Sequence, residues 1–164
     1  MGRKVVVIGG VAAGCKAAAR AKRVDPTAEV ILLERGDRIS YGACGLPYAI
    51  AGLAALEDLV RTPVGVERNE AFFLQVKGVE VRTRSEALEV DRERRVVRVR
   101  GPRGDEYELP YDSLVLATGS LPVVPPLPGV DLPVVFRLKD LNDGRRIREF
   151  VEDHPGCRAE IVGG

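Results

Sequence analysis

Two short apolar runs near the start of the chain flank an alanine-rich segment. Residues 3–10 (RKVVVIGG) and 28–36 (AEVILLERG) are the apolar runs, and continuous β-branched runs of this length predict buried parallel strands. Residues 12–25 (AAGCKAAARAKRVD) favour a helix that ends at the following Pro26. The pattern therefore predicts a βαβ unit over about the first 34 residues.

The stretch after this unit is less regular. Residues 39–59 have no clear period and predict irregular structure with one short helix. Thr62 followed by Pro63 is typical of an N-cap and a first helical position. This pair predicts a helix that runs to about Lys77.

Alternation and turn residues predict further strands in the second half of the chain. Those before the last helix are, in order, a strand over 79–83 (VEVRT), a hairpin over 87–100 that turns at 91–94, an antiparallel strand over 106–111 (EYELPY) and a buried parallel strand over 111–119 (YDSLVLATG). Residues 121–129 (LPVVPPLPG) predict a rigid loop set by proline. Asp140 is a candidate cap for a helix over 141–153, and residues 159–164 (AEIVGG) begin a strand.

Together these elements predict an α/β fold of three layers. A central parallel sheet carries helices on one face and an antiparallel hairpin layer on the other.

Composition narrows the classes of function. The 164 residues include 25 basic and 24 acidic side chains, a balance that argues against nucleic acid as a partner. No apolar run approaches the ~18 residues of a membrane span, and too few residues precede the first strand for a signal peptide. Three cysteines, an odd number without metal-ligand spacing, predict neither a disulfide scaffold nor a metal site. We therefore expect a cytoplasmic protein with reduced thiols and no membrane partner.

The glycine-rich segment 9–14 (GGVAAG) joins the first predicted strand to the first helix. It approximates the G-x-G-x-x-G turn of dinucleotide-binding proteins, although Val11 replaces the second glycine. The helix N-terminus beyond it offers backbone N–H groups to phosphate. Glu34 follows about 20 residues later, where a carboxylate accepts hydrogen bonds from a ribose. A turn that merely packs tightly remains the alternative.

Cys44 lies between an alanine and a glycine, three residues before Pro47. A lone cysteine is most often a small buried apolar residue. Small neighbours, however, leave the sulfur accessible, and a helix opened by Pro47 would favour the thiolate, so the pattern also fits a redox-active thiol. Cys15, on a helix of small residues, and Cys157, in a Pro-Gly turn, are interpreted as structural.

Several motifs together resemble one family. In chain order they are VIGGVAAG (7–14), LLERG (32–36), SYGACGLPY (40–48), YDSLVLATGS (111–120) and IVGG (161–164). The chain resembles the flavin-dependent pyridine nucleotide–disulfide oxidoreductases, in particular the single-cysteine branch of coenzyme A-disulfide reductases, NADH oxidases and NADH peroxidases.

The resemblance implies a three-layer FAD/NAD(P)-binding, Rossmann-like fold and assigns cofactor contacts. FAD is the implied cofactor and NAD(P)H the electron donor of full-length members, with Cys44 as the catalytic thiol against the isoalloxazine. The implied FAD contacts are Gly9, Gly10, Val11, Ala12, Ala13 and Gly14 at the pyrophosphate, Glu34 and Arg35 near the adenosine, the backbone near Val81 at the adenine, and Ala117, Thr118 and Gly119 in a second turn.

Two features separate the members of this branch. Oxidases and peroxidases that resemble the chain carry a histidine where this sequence has Ala12, so an expected acid–base group is missing. Lys16, Arg20 and Arg23 share one helix face and could meet the phosphates of coenzyme A, although a solvated stripe is the usual fate of such charges. By resemblance, Ser40 and Lys77 join these three in binding coenzyme A or its disulfide. Ala43, where those reductases often have asparagine, departs from the pattern.

The resemblance covers the N-terminal part of a family member. It implies an incomplete FAD-binding domain over residues 1–152 and, over residues 153–164, a linker with the first strand of an NAD(P)-binding domain. The NADH and dimerisation domains that complete the homodimeric full-length proteins would be missing, so we expect little or no turnover from this chain alone. A non-catalytic FAD- or ADP-binding remnant, or a relative of NADH oxidase or peroxidase, are the alternatives.

Overall fold

The structure, a computed structural model, describes residues 2–162. Its strands form one parallel and one antiparallel sheet, with orders β3-β2-β1-β7 and β4-β5-β6. In chain order the strands are β1 (Lys4–Ile8), β2 (Glu29–Leu33), β3 (Glu80–Arg82), β4 (Glu86–Asp91), β5 (Val96–Arg100), β6 (Glu106–Pro110) and β7 (Ser113–Leu116). The predicted βαβ unit, hairpin and third antiparallel strand are confirmed.

The helices are mostly short. They are α1 (Ala13–Val24), α2 (Leu46–Ile50), α3 (Glu70–Phe72), which continues as a π-helical turn (Phe73–Lys77), and α4 (Leu141–Asp153), with 3₁₀ turns at Ala43–Gly45 and Leu56–Val60. Within residues 2–162, none of these helices has the length and apolar character needed to cross a bilayer.

The chain divides into two compact units. The sheet unit comprises the described residues 2–42 and 60–120, and the helix unit comprises 43–59 and 121–162. The sheet unit holds both sheets with α1 and α3, and the helix unit holds α2 and α4.

The layers of the sheet unit follow from alternation along β1. Val5 and Val7 pack on one face of the parallel sheet with residues of α1 and of the α3 region, including Cys15 and Phe73. Val6 and Ile8 point to the opposite face, because successive side chains of a strand alternate. There they join residues of β2, β5 and β6, namely Ile31, Leu33, Val97, Val99 and Leu109. The predicted three-layer α/β fold is confirmed.

The helix unit is organised around α4. The side chain of Asp140 accepts a hydrogen bond from the Asp143 N–H at 3.0 Å, and the Asp143 side chain caps in return. This capping box starts the helix where the sequence predicts it. Arg148 of α4 donates from Nη1 to the carbonyl oxygen of Ala49 at 3.0 Å, which ties α4 to α2, and Leu46 of α2 is buried.

The helix predicted to open at Thr62 begins later, so that prediction is wrong. Thr62 lies in a turn, where its N–H donates to the Val66 carbonyl oxygen at 2.8 Å and Gly65 adopts a φ of +82°. A left-handed residue at this point is incompatible with a helix. Asn69 is the actual N-cap, because its side chain accepts from the Phe72 N–H at 3.0 Å. The predicted C-terminal end is confirmed.

The strand predicted from residue 159 is not formed over residues 159–162, where the described chain is irregular. Ile161 is 91% exposed there, and a strand needs a hydrogen-bonding neighbour to be stable. Residues 163 and 164 of the same prediction lie outside the described residues. The predicted domain boundary after residue 152 stays a prediction.

Candidate functional site

The glycine turn between β1 and α1 is shaped by close contacts of the backbone with itself. Gly9 has a φ of +107°, and a Cβ built there would lie 2.2 Å from the carbonyl oxygen of Ala117. A Cβ at Gly14 would lie 1.7 Å from the carbonyl oxygen of Gly9. Glycine is therefore required at both positions for the turn and for packing of the helix on the sheet.

The amides of this turn divide into occupied and open groups. Gly9 N–H donates to the Leu33 carbonyl oxygen at 2.8 Å, and Gly10 N–H donates to Oε2 of Glu34 at 2.6 Å. Within the part of the chain that the structure describes, the next three amides donate to no protein acceptor, and no side chain caps α1. These open amides are those of Val11, Ala12 and Ala13.

Three open amides at a helix N-terminus form a suitable site for a diphosphate. Ala12 and Ala13 are exposed, and the first turn of α1 contains no acidic residue that would repel an anion. The family resemblance assigns all six residues of the turn to the pyrophosphate. The geometry fits that group, but the amides of Gly9 and Gly10 already donate to protein acceptors.

Glu34 lies immediately after β2 and uses both carboxylate oxygens locally. Besides the Gly10 amide, it accepts from the Gly36 N–H through Oε1 at 2.7 Å. Its backbone N–H donates to the Arg82 carbonyl oxygen at 3.0 Å and its carbonyl accepts from the Ser85 N–H at 2.9 Å. The predicted acid is thus beside the glycine turn, although the sequence did not reveal that it bonds to the turn itself.

The carbonyl group of Gly10 is also hydrogen-bonded. Ser40 N–H donates to this oxygen at 2.8 Å, and the thiol of Cys15 donates to it at 3.0 Å. Burial raises the pKa of the Cys15 thiol from 9.0 to about 11, so at neutral pH the group stays a protonated donor. The structural interpretation of Cys15 agrees with this geometry, and Ser40 lies at the turn with a φ of +53°.

The second predicted turn lies beside the first because β7 pairs with β1. Ala117 N–H donates to the Ile8 carbonyl oxygen at 2.8 Å, which places Ala117 against Gly9 as described above. Thr118 and Gly119 follow as exposed residues, and Gly119 has a φ of +69°. The structure therefore brings the two glycine-containing turns together at the carboxyl edge of the sheet.

Val81 lies in β3 and Arg35 follows β2, on the side of the parallel sheet away from β7. The Arg82 carbonyl oxygen faces β2, so by strand alternation the N–H and C=O of Val81 point away from β2. Because β3 is the edge strand, these two groups lie at the open edge, and a donor–acceptor pair there suits a purine edge. The Val81 side chain is buried, whereas Arg35 is exposed.

The basic residues predicted to bind substrate are exposed. Lys16, Arg20 and Arg23 lie on α1, and among residues 2–162 none of them forms an ion pair. Lys77 lies at the end of the π-helical turn with its Nζ 5.7 Å from the centre of the Phe72 ring. The three charges of α1 thus lie on the surface, and their role in binding substrate stays a prediction.

Cys44 belongs to the helix unit and is exposed. It lies in the 3₁₀ turn Ala43–Gly45, directly before α2, and Pro47 occupies the first turn of α2 as predicted. A Cβ at Gly45 would lie 2.4 Å from Cδ2 of Leu59, so a larger residue there would displace that side chain. The accessible thiol required for redox chemistry is present. Cys157 is also exposed.

A parallel sheet, a glycine turn with open amides and an adjacent acid are typical of the Rossmann-like class of dinucleotide-binding folds. The comparison with protein families is more specific. The family described as pyridine nucleotide-disulphide oxidoreductase matches residues 3–164, so the chain belongs to this family.

Individual relatives match nearly all of the chain. The NAD(P)H coenzyme A polysulfide/persulfide reductase of Pyrococcus horikoshii is 37% identical over 100% of the chain and 35% of its own length. An NADH oxidase of Methanocaldococcus jannaschii is 30% identical over 98% of the chain and 35% of its own length. The chain thus spans 35% of the length of these curated relatives.

A solved structure supports the same assignment. The NAD-dependent persulfide reductase of A. fulgidus superposes with a TM-score of 0.89 at 41% identity, and the match covers 92% of this chain and 28% of that one. The fold assignment therefore extends over almost the whole chain.

Proposed function

We propose that the chain forms the FAD-binding portion of a flavin-dependent oxidoreductase that passes electrons from NAD(P)H to a disulfide or persulfide of coenzyme A. Cys44 is the redox-active thiol in this proposal. The similarity to reductases whose names specify coenzyme A or persulfide supports the substrate class.

The observation that carries the proposal is the set of open amides at residues 11–13. A helix N-terminus without a capping side chain leaves backbone donors that an anion can satisfy. The residues of this chain that would hold FAD are those of the two adjacent turns, with Glu34 and the Val81 backbone on the adenosine side. When bound, FAD supplies the electron pair from NAD(P)H that returns a disulfide to two thiols.

The exposed thiol of Cys44 supports the second half of the proposal. In the reaction, the Cys44 thiolate attacks one sulfur of coenzyme A disulfide, so that a new S–S bond forms and the old S–S bond breaks. The departing coenzyme A thiolate takes up a proton. Lys16, Arg20 and Arg23 would bind the phosphates of coenzyme A because guanidinium and ammonium groups pair with them.

An NADH oxidase or peroxidase is the second candidate, favoured by the similarity to the oxidase of M. jannaschii. The residue at position 12 argues against an oxidase or peroxidase, because the methyl side chain of Ala12 cannot exchange a proton with an oxidised Cys44. His154, at the end of α4, has its Nδ1 2.8 Å from the Phe150 carbonyl oxygen and its ring stacked on the Phe150 ring.

The first test is flavin binding. The purified chain titrated with FAD should quench the fluorescence of the flavin and shift its visible spectrum, and excess ADP should compete with it. Absence of binding at high protein concentration would refute the proposal.

The second test follows the thiols. Iodoacetamide should label both Cys44 and Cys157 in the native chain, because both are exposed. Coenzyme A should slow the labelling of Cys44 and leave that of Cys157 unchanged, which makes Cys157 an internal control. The protection should weaken in Arg20→Ala and persist in Arg103→Ala, an exposed arginine of the antiparallel layer. Equal labelling of Cys44 with and without coenzyme A would argue for the non-catalytic alternative.

Further parts of the proposal come from the family resemblance. They are a cytoplasmic location, an FAD-binding domain over residues 1–152 followed by the start of an NAD(P)-binding domain, and a homodimeric full-length protein. Size-exclusion chromatography and NAD(P)H-dependent reduction of coenzyme A disulfide by the whole protein test the last two.

A further inference from the structure

Both backbone polar groups of Gly10, its N–H and its C=O, are hydrogen-bonded to the surrounding protein. Its N–H donates to Oε2 of Glu34 at 2.6 Å. Its carbonyl oxygen accepts from the Ser40 N–H at 2.8 Å and from the Cys15 thiol at 3.0 Å.

Glycine is needed at position 10 because neighbouring side chains leave no room for a Cβ. A Cβ built at Gly10 would lie 2.8 Å from Cγ2 of Ile39 and 2.9 Å from Cβ of Glu34. Both contacts are closer than carbon atoms tolerate, so the side chains of Glu34 and Ile39 occupy the space that a larger residue would need. Gly10 is thus buried under the acid, and its amide is directed to that acid.

Glu34 has a geometry that suits a bridge between backbone segments. Oε2 holds Gly10 of the glycine turn and Oε1 holds the Gly36 N–H at 2.7 Å. Charge-assisted bonds of this kind are stronger than neutral ones, and a carboxylate is the side chain that can accept at both ends without donating. The same residue is bonded through its backbone to Arg82 and Ser85, so the bridge has a rigid base.

We propose that Glu34 is a positioning residue of the diphosphate site: its carboxylate holds the Gly10 amide and thereby directs the amides of residues 11–13 toward the diphosphate. The inference rests on the proposed nucleotide-binding function. It differs from a contact with the sugar hydroxyls, which the remaining lone pairs of the carboxylate still permit, because a positioning role acts on every ligand that carries a diphosphate.

Amide hydrogen exchange of the unsubstituted, unliganded chain tests the geometry directly. The Gly10 and Gly36 amides should exchange slowly, and those of residues 11–13 should exchange fast. Addition of ADP should protect residues 11–13 and leave Gly10 unchanged. Fast exchange at Gly10 that becomes slow only with ADP would overturn the inference, because the amide would then serve the ligand and not the carboxylate.

Ligand binding to Glu34→Gln separates positioning from contact with the sugar. Glutamine accepts through one atom only, so one of the two bridged amides loses its partner. We expect affinity to fall about tenfold, the loss of one charge-assisted hydrogen bond, and by the same factor for ADP and for 2′,3′-dideoxy-ADP. A loss confined to ADP would show that Glu34 acts on the ribose and would refute the positioning role.

Two further variants control the comparison. Asp37→Asn removes a negative charge from the same loop at an exposed position and should leave both affinities unchanged. Glu34→Asp keeps the charge but shortens the side chain by one methylene, so it should also lower the affinity for both ligands by the same factor. It replaces Glu34→Gln in the test if that variant does not fold. If the unsubstituted chain binds neither nucleotide, the proposed function fails and the inference fails with it, an outcome that the first titration identifies.

Discussion

Two apolar stretches, the central strands of the sheet unit and the proline-rich loop of the helix unit, differ in their burial. In the sheet unit the apolar side chains of β1 and β2 are buried, with Val6, Leu32 and Leu33 at 0% exposure. In the helix unit the proline-rich residues 121–138 leave large apolar side chains in solvent, with Val123 at 93% and Leu121 at 70%. The contrast teaches that an apolar run predicts burial when its period fits a strand or a helix. Proline interrupts that period and lacks the backbone N–H with which strands and helices form their hydrogen bonds.

Glycine substitutions should give the largest difference between the units. Gly14→Ala places a Cβ 1.7 Å from a backbone oxygen, so we expect a loss of about 4 kcal/mol or more in the free energy of unfolding. Gly52→Ala in the helix unit meets nothing within 4 Å and has only the cost of its φ of +74°, about 1 kcal/mol. Urea unfolding of both variants measures the difference, and similar losses would contradict the close contact at Gly14.

Leucine truncations should give the next largest difference. Leu33→Ala removes a side chain with 0% exposure and should cost about 2–5 kcal/mol, because it deletes apolar burial and leaves a cavity. Leu121→Ala, 70% exposed, should change stability by less than about 0.5 kcal/mol. Equal effects in chemical denaturation would show that the proline-rich loop is buried in solution.

Alkaline pH should weaken the sheet unit through Cys15. Its pKa rises on folding from 9.0 to about 11, so between these values the unfolded chain loses a proton that the folded chain keeps. The contribution of Cys15 to the free energy of unfolding is therefore complete below about pH 9. It falls by about 2 kcal/mol as the pH rises to 11. Cys15→Ser, which keeps a donor and does not titrate in this range, should lack this part of the decline. Parallel pH profiles for both proteins would contradict the prediction.

The smallest effect is expected on the charged outer face of the antiparallel sheet. Hydrogen bonds from Arg98, then from Arg100, lower the pKa of the Glu106 carboxyl below its usual 4.5. The Glu106 carboxylate therefore stabilises the fold at pH values above its pKa in the unfolded chain. This contribution disappears as the pH falls through its pKa in the folded chain. Glu106→Gln should therefore lower the thermal midpoint slightly at pH 7 and low salt, and high salt should reduce the difference. Glu93→Gln, at an exposed hairpin position, is the matched control. An equal change in its thermal midpoint would show that the effect comes from net charge and not from the ion pairs of Glu106.

The fold of the sheet unit follows from local sequence because β1 and β2 are apolar runs and turn residues separate the alternating strands of the antiparallel sheet. The error at Thr62 has a local cause, since Asn69 followed by Glu70 was an equally good start signal and Gly65 made the earlier start impossible. The site was harder to predict. The pairing of Gly10 with Glu34 joins residues 24 positions apart, and no periodic pattern marks it.

The edge strand β3 has a consequence for association between copies of the molecule. An exposed sheet edge can accept a strand from a neighbouring chain and so begin aggregation. Here the edge is only three residues long, and Glu80 and Arg82, joined by an ion pair of 2.7 Å, place charges on both sides of Val81. Brevity and charge discourage the addition of a strand, yet they leave one donor and one acceptor accessible to a ligand as small as a purine.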